Sequence, residues 1–152
     1  MKVASILDDK AARGVGLVSI PSSASLMDAS RLLCQHNIGA LLVAGTDRGG
    51  HVGILSERDI IRRCAEDVKL CDVKVADAMS ENVLVVASDD DIEVAGGVMA
   101  RHHVRHLPVV DGGKVVGMIT VRDVVKALDE QKDVQIRHLG DVAGGTYGSD
   151  VF

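Results

Sequence analysis

The sequence predicts an α/β fold in which two pseudo-symmetric β-α-β-β-α repeats pack through their sheets. Residues 53–59 return as residues 117–123, with a glycine, an apolar run, a hydroxyl residue and an aspartate in matched positions. Residues 18–43 also align with residues 84–109 without a gap. Within each copy, short apolar runs alternate with apolar residues at helical spacing. These three observations indicate a duplicated α/β unit.

Each copy begins with a strand and a helix. Apolar runs at 17–20 and 83–86 predict the strands. Helical spacing of apolar residues then predicts helices over 26–36 and 92–102. Short polar residues precede both helices, and the expected N-caps are Ser23 or Ser25 in the first copy and Asp89, Asp90 or Asp91 in the second.

Two glycines, Gly96 and Gly97, interrupt the second of these helices. A glycine inside a helix costs about 1 kcal/mol relative to alanine. We therefore expect another element to approach the helix closely at this point.

Each copy continues with a two-stranded hairpin and closes with a second helix. Asp111-Gly112-Gly113 predicts the compact turn of one hairpin. The expected strands and helix are 40–44, 51–55 and 57–66 in the first copy, and 107–110, 114–119 and 121–130 in the second.

One copy, at about 60 residues, is small for an independent domain. We therefore expect the two copies to share one core and their apolar faces to support pairing between chains. The expected boundaries are 1–70 and 71–131. Residues 132–152 are expected to form an extension with a short helix over 133–139 and a flexible tail from Gly140, whose aromatic residues are Tyr147 and Phe152.

Composition argues against several functional classes. The 152 residues carry a net charge of -5, which gives no basic footprint for nucleic acid or an anionic membrane. One Tyr, one Phe and no Trp leave few stacking platforms for single strands. The acidic N-terminus lacks a signal-peptide pattern, and no apolar run is long enough to span a bilayer, so we expect a cytoplasmic protein.

Three cysteines, Cys34, Cys64 and Cys71, have no CxxC spacing. An odd number without that spacing favours free thiols, buried or half-buried, over a disulfide framework or a zinc knuckle. A redox role for them stays open.

The motifs as a set resemble the cystathionine-β-synthase (CBS) domain, here as a tandem pair known as a Bateman module. The resemblance rests on residues 53–59 and 117–123, and it is supported by residues 37–43, 103–111, 3–7 and 75–79. The resemblance covers about residues 1–131 and is greatest to stand-alone two-CBS proteins. It implies a disc-shaped homodimer that binds AMP, ATP, NAD(H) or, as a weaker candidate, S-adenosylmethionine between the repeats. It also implies no required cofactor and a role in reporting energy or redox state to a protein partner.

The resemblance implies two crosswise clefts. One would join Ile54, Ser56, Arg58 and Asp59 to Leu84, Val85, Arg105 and His106; the other would join Met118, Thr120, Arg122 and Asp123 to Val18, Ser19, Gly39 and Ala40. Arg105 and His106 would favour a phosphate-rich nucleotide in the first cleft. Small residues would make the second cleft roomier and less dependent on phosphate.

The two corners, which are the predicted strand-to-helix junctions at residues 53–59 and 117–123, suit a nucleotide chemically. A carboxylate such as that of Asp59 or Asp123 accepts hydrogen bonds from ribose hydroxyls, and a helix N-terminus attracts phosphate. The alternative is that Ser-x-x-Asp is only a helix cap. Arg58 and Arg122 would either clamp phosphates or remain solvated and salt-bridged.

Other functional classes have weaker support. The pattern His102-His103-x-x-His106 has histidines at helical spacing, but Pro108 places His106 beyond the helix, so we expect no metal site. The sequence contains neither a GxSxG motif nor a P-loop, so we expect a non-enzymatic regulatory module. A dimerisation or scaffold module without a nucleotide is the alternative.

Overall fold

The two sheets of the predicted fold are present in the computed structural model, which describes residues 1–45 and 51–144. The first sheet has the order β1 (Ser19–Pro21), β2 (Ala40–Ala44), β3 (His51–Ser56). The second has the order β4 (Val86–Ala87), β5 (His106–Asp111), β6 (Lys114–Thr120). In each sheet the first pair of strands is parallel and the second pair is antiparallel. The α/β fold class is confirmed.

Five α-helices lie within the described residues: α1 (Val3–Ala12), α2 (Leu26–His36), α3 (Glu57–Ala65), α4 (Ile92–His102) and α5 (Val121–Gly144). Two 3₁₀ turns, Leu70–Asp72 and Val75–Asp77, connect the halves. None of these helices is long and apolar enough to cross a membrane.

The predicted helices α2 and α4 begin and end where the apolar spacing placed them. Ser25 is the N-cap of α2 and forms a capping box with Asp28. Asp91 occupies the N-cap position of α4 without a side-chain cap bond, whereas the carboxylate of Asp90 accepts from the backbone of Ala87.

The expected close approach to α4 holds at one of its two glycines. A Cβ on Gly96 would lie 3.3 Å from a methyl group of Val124 on α5. A Cβ on Gly97 would meet nothing within 4 Å. Packing against α5 therefore explains Gly96, and nothing in the structure explains Gly97.

The N-terminal segment forms an element that the sequence analysis did not predict. Val3 and Ile6 of α1 are buried among residues of the second repeat, including Leu107 and Ile119. Conversely, Val75 from the connection is buried among residues of the first repeat, including Leu41. Each leading segment therefore crosses to the opposite half.

Backbone hydrogen bonds make this exchange pseudo-symmetric. Val3 N donates to Asp90 O at 2.9 Å, and Val75 N donates to Ala24 O at 2.8 Å. The sequence alignment pairs Val3 with Val75 at the start of each repeat. The halves are also joined directly, since Ile54 and Ser80 exchange two backbone hydrogen bonds of 3.0 and 2.9 Å.

The expectation of one shared core is wrong. Most buried apolar side chains form two clusters, one on each sheet, and Ala40 and Leu42 of β2 are buried outside both. Side chains matched by the repeat occupy matched places in them, as with Leu26 and Ile92, which are both fully buried. The duplication thus builds two small cores, one in each half.

Other expected boundaries also shift. The strands β1 and β4 are shorter than 17–20 and 83–86 and lie nearer the following helix. The helix α5 continues to Gly144, so the separate helix over 133–139 and the tail starting at Gly140 are incorrect. Tyr147 and Phe152 lie outside the described residues.

Candidate functional site

Both predicted corners are complete capping boxes at the start of a helix. Asp59 Oδ2 accepts from the backbone N and the hydroxyl of Ser56, each at 2.8 Å, and Ser56 Oγ accepts from Asp59 N at 3.4 Å. At the other corner, Asp123 Oδ2 accepts from Thr120 N at 2.8 Å and from Thr120 Oγ1 at 2.9 Å. The cap that sequence reasoning weighed as an alternative is therefore present at both corners.

A capping box leaves part of the carboxylate free. An ionised carboxylate has about four acceptor positions on its two oxygens. At Asp59 the cap uses only Oδ2, while Oδ1 lies 3.7 Å from Arg62 Nη1. The cap therefore orients Asp59 and leaves Oδ1 able to accept from a ligand.

Ser25 and Asp28 show that the motif alone does not make a site. They form the same capping box at the start of α2. Both side chains stand away from the space between the repeats and do not line it. Position between the halves, and not the cap itself, distinguishes the Asp59 corner.

A cavity of about 730 Å³ lies between the two halves and reaches both corners. This volume lies within the range of small-molecule sites. Twelve of the predicted site residues line it: Val18, Gly39, Ala40, Ile54, Ser56, Arg58, Asp59, Arg105, His106, Met118, Thr120 and Arg122. Ser56 and Asp59 at one corner and Thr120 at the other thus line one continuous cavity, and its division into two clefts stays a prediction.

Four predicted residues do not line the cavity. Leu84 and Val85 are surface residues, 37% and 49% exposed, because the strand in that copy begins only at Val86. Ser19 is also outside the lining. Asp123 is also outside the lining and borders a smaller depression next to Lys126.

Lys10 lines the cavity at the position that was expected for Asp123. Its Nζ donates to Asp123 Oδ2 at 2.9 Å and to the carbonyl oxygen of Met118 at 3.0 Å. The two charged side chains are 16% and 17% exposed. Lys10 itself lines the cavity, so this end carries an ammonium group paired with the Asp123 carboxylate. The sequence predicted only small residues opposite Asp123 and therefore did not include Lys10.

Two opposing effects of its surroundings determine the pKa of Asp123. Burial raises the pKa of Asp123, but hydrogen bonds from Lys10 and from the Thr120 backbone lower the pKa more, so that it lies below its ordinary value. The carboxylate therefore remains ionised at neutral pH and holds the Lys10 ammonium in place.

His106 and Gly39, which were expected in different clefts, are in contact. A Cβ on Gly39 would lie 3.1 Å from His106 Nε2 and 3.5 Å from Glu57 Oε1. Burial and, to a smaller extent, the charge of Arg105 lower the pKa of His106 below its ordinary value, and Glu57 opposes this. A neutral imidazole therefore lies against Gly39 in the cavity wall.

The cavity is basic although the chain is acidic. Its lining includes two carboxylates, Glu57 and Asp59, and the five cationic side chains of Lys10, Arg58, Arg62, Arg105 and Arg122. The whole chain carries a net charge of -5. Because low-dielectric walls strengthen the field in a cleft, such a lining favours an anionic ligand. Arg58 and Arg122 are exposed but line this cavity.

Sequence reasoning missed six polar residues of the lining: Lys10, Asn37, Glu57, Arg62, Ser80 and His103. Arg62 follows Asp59 by three positions on α3, so helical spacing was an available signal. His103 ends α4 in the left-handed conformation, with φ 54°, matching Asn37 at the end of α2. Lys10 could not be identified from the sequence, because the helix that carries it, α1, was not predicted.

The three cysteines are free, as expected, but all are exposed and not buried. Among the residues that the structure describes, no group of three or more His, Cys, Asp or Glu side chains could hold a metal ion.

This chain is similar to solved structures of CBS-domain proteins. A CBS-domain containing protein from Agrobacterium tumefaciens is 30% identical, with a TM-score of 0.75 over 83% of this chain and 92% of that chain. A CBS domain protein from Pyrobaculum aerophilum, solved in complex with AMP, is 26% identical, with a TM-score of 0.72 over 81% of this chain and 89% of that chain.

A curated relative is the mitochondrial CBS domain-containing protein CBSX3 of Arabidopsis thaliana. It is 28% identical over 127 residues, which are 81% of this chain and 62% of the relative's length. The family model for the CBS domain matches residues 13–66 and 75–130. The chain therefore belongs to the CBS-domain family and carries a tandem pair of these domains.

Proposed function

We propose that this chain is a regulatory module that binds an adenine nucleotide, AMP, ATP or NAD(H), in the cavity between its two CBS domains. Binding would report energy or redox state to a protein partner. The observation that carries the proposal is Asp59, which is oriented by its cap and faces a cavity with five cationic side chains. The complex of the Pyrobaculum aerophilum relative with AMP supports the same ligand class.

Each part of a nucleotide has a counterpart in the lining. Asp59 Oδ1 can accept from a ribose hydroxyl, and charge-assisted hydrogen bonds of this kind are the strong ones. Ile54 and Met118 offer half-buried apolar contacts for a base. Arg105, which also lines the cavity, suits phosphate.

A thermal-shift screen tests the proposal directly. AMP, ADP, ATP, NAD⁺, NADH and S-adenosylmethionine would be added to the purified chain. A ligand at 100 times its Kd stabilises the folded state by about 2.7 kcal/mol, which corresponds to a rise in Tm of about 5 °C or more. No shift with any compound would refute nucleotide binding.

Asp59→Asn and Asp28→Asn form a matched pair for this screen. Both remove a carboxylate from a Ser-x-x-Asp capping box, but Asp28 lies outside the cavity. We expect both variants to lose about 1 kcal/mol of stability, and only Asp59→Asn to lose the ligand-induced shift. Equal shifts in the two variants would exclude Asp59 as a ligand contact.

A dimerisation or scaffold role is the second candidate, and α5 supports it. Val121, Val125, Ile136 and Leu139 lie along one side of this helix and are 38–70% exposed. Such a stripe is typical of a helix that packs against a partner. Sedimentation of the ligand-free chain would separate the roles: a dimer that neither binds nor responds to any nucleotide favours the scaffold.

A further inference from the structure

The two ends of the cavity differ in charge in a way that the duplicated sequence does not suggest. At one end the carboxylates of Asp59 and Glu57 line the cavity. At the other end Asp123 is outside the lining and Lys10 takes its place. An ammonium group donates hydrogen bonds and accepts none, and here it already occupies Asp123 Oδ2. Lys10 itself therefore suits an anion better than the hydroxyl protons of a second ribose.

Lys10 is held in a way that leaves one donor unused. An ammonium group has three N–H donors. Two of them reach Asp123 Oδ2 and Met118 O, and no third acceptor for Nζ is recorded within the described parts of the chain. Because Lys10 lines the cavity, the remaining N–H is available to a ligand there.

The charges around Lys10 favour an anion. The ion pair with Asp123 neutralises the carboxylate that would otherwise repel a phosphate. Arg105 and Arg122 line the same cavity and leave its basic residues in excess. The Thr120 hydroxyl donates to Asp123 Oδ2, so it too reinforces the anchor of Lys10.

We propose that the Lys10 end of the cavity is a phosphate subsite, with Lys10 as its specificity-determining residue. One nucleotide per chain lies across the cavity, with its ribose at Asp59 and its phosphates towards Lys10. This inference rests on the proposed function, since it divides that nucleotide site into a ribose end and a phosphate end. It reverses the expectation that the Asp123 side is the less phosphate-dependent one.

Calorimetric titration of the full chain with adenosine, AMP, ADP and ATP tests this assignment, with displacement titrations for weak ligands. We expect one site per chain and tighter binding of ATP than of adenosine. Lys10→Met should reduce the ratio of ATP to adenosine affinity about tenfold or more, because it removes a charge-assisted contact. The affinity for adenosine itself should not change.

Lys126→Met is the matched control. Lys126 lies on α5 with its side chain 56% exposed, pairs with Asp9 and Glu130, and does not line the cavity. Its loss should leave the ratio at the wild-type value. An unchanged ratio in Lys10→Met, or an equal loss for adenosine and ATP, would overturn the phosphate subsite.

Asp123→Asn gives a second test that does not depend on the folding of Lys10→Met. If Asp123 only anchors Lys10, this variant keeps the wild-type stoichiometry and affinity for adenosine. A loss of adenosine binding, or a second nucleotide gained in Lys10→Met, would instead make Asp123 a ribose site that Lys10 blocks. A wild-type chain that binds none of the four compounds would refute the proposed function, and the inference with it.

Discussion

Lys10 Nζ lies 2.9 Å from Asp123 Oδ2 and so joins the first helix of the chain to the last, across a sequence separation of 113 residues. Leu7, one turn before Lys10, packs on the same region, since a Cβ added to Gly117 would lie 2.6 Å from its Cδ2. The ion pair and this apolar contact hold α1 against β6 and α5. The pair is therefore both a fold contact and part of the cavity wall.

Loss of Lys10 should lower stability in a pH-dependent way. Lys10→Met leaves the half-buried carboxylate of Asp123 without its cation, so we expect the unfolding free energy at pH 7 to fall by about 2 kcal/mol. In the wild type the folded pKa of Asp123 lies below its ordinary value of 3.8. Its contribution to stability is therefore complete above that value and is lost as pH falls through the folded pKa.

Urea unfolding from pH 2 to pH 7 would measure this effect. The difference between wild type and Lys10→Met should be largest at neutral pH and should shrink in acid. Lys126→Met, which removes an exposed lysine, should stay within about 0.5 kcal/mol of wild type at pH 7. Parallel pH profiles for wild type and Lys10→Met would contradict the role of the ion pair.

The two matched glycines before the corners should tolerate alanine differently. A Cβ on Gly53 would lie 2.8 Å from the backbone oxygen of Ser80, which also bonds to Ile54 and cannot move freely. On Gly117 the obstacle is the end of the Leu7 side chain, which can rotate. We expect Gly53→Ala to cost about 3 kcal/mol and Gly117→Ala about 1 kcal/mol, measured by chemical unfolding.

Gly97→Ala serves as the control for this pair. Its Cβ would meet nothing within 4 Å, and it lies inside α4. Helix propensity should therefore raise stability by up to about 1 kcal/mol. Equal losses at Gly53 and Gly117 would show that the nature of the obstructing atom does not decide the cost.

His106 should make stability fall below neutral pH. Burial and the charge of Arg105 lower its folded pKa below the ordinary value of 6.5, Lys10 acts in the same direction, and Glu57 and Asp123 oppose them. The unfolded chain therefore binds the proton more readily, and stability is lost as pH falls from 6.5 through the folded pKa. His106→Gln should flatten this part of the profile in urea unfolding between pH 5 and 8. An unchanged slope would exclude His106 as its source.

The repeat made much of this architecture predictable. Apolar spacing located α2 and α4, and the recurrence of Ser-x-x-Asp or Thr-x-x-Asp located both corners, because these are local signals. The matched burial of Leu41 and Leu107 likewise follows from the alignment. Local pattern and repeat together located most of the strands and helices, but not α1 or the full length of α5.

The exchange of the leading segments could not be predicted in the same way. Val3 and Ile6 are buried by the second repeat, a contact between distant parts of the chain that leaves no periodic signal in ten residues. Lys10 reaches Asp123 only because of that exchange. The charge of one end of the site thus depends on tertiary packing and not on the motif.

The exposed apolar stripe on α5 should mediate a homodimer. Ile136 and Leu139 are 66% and 70% exposed on the side of α5 that also carries Val125. An aspartate in this stripe would place a charge in an apolar contact, so Ile136→Asp should convert a dimer of 16.0 kDa chains into monomers, measured by light scattering after gel filtration. Val134→Asp is the control, because Val134 is 65% exposed but, two positions from Ile136, lies on another side of the helix. Dissociation by both variants, or by neither, would exclude this stripe as the interface.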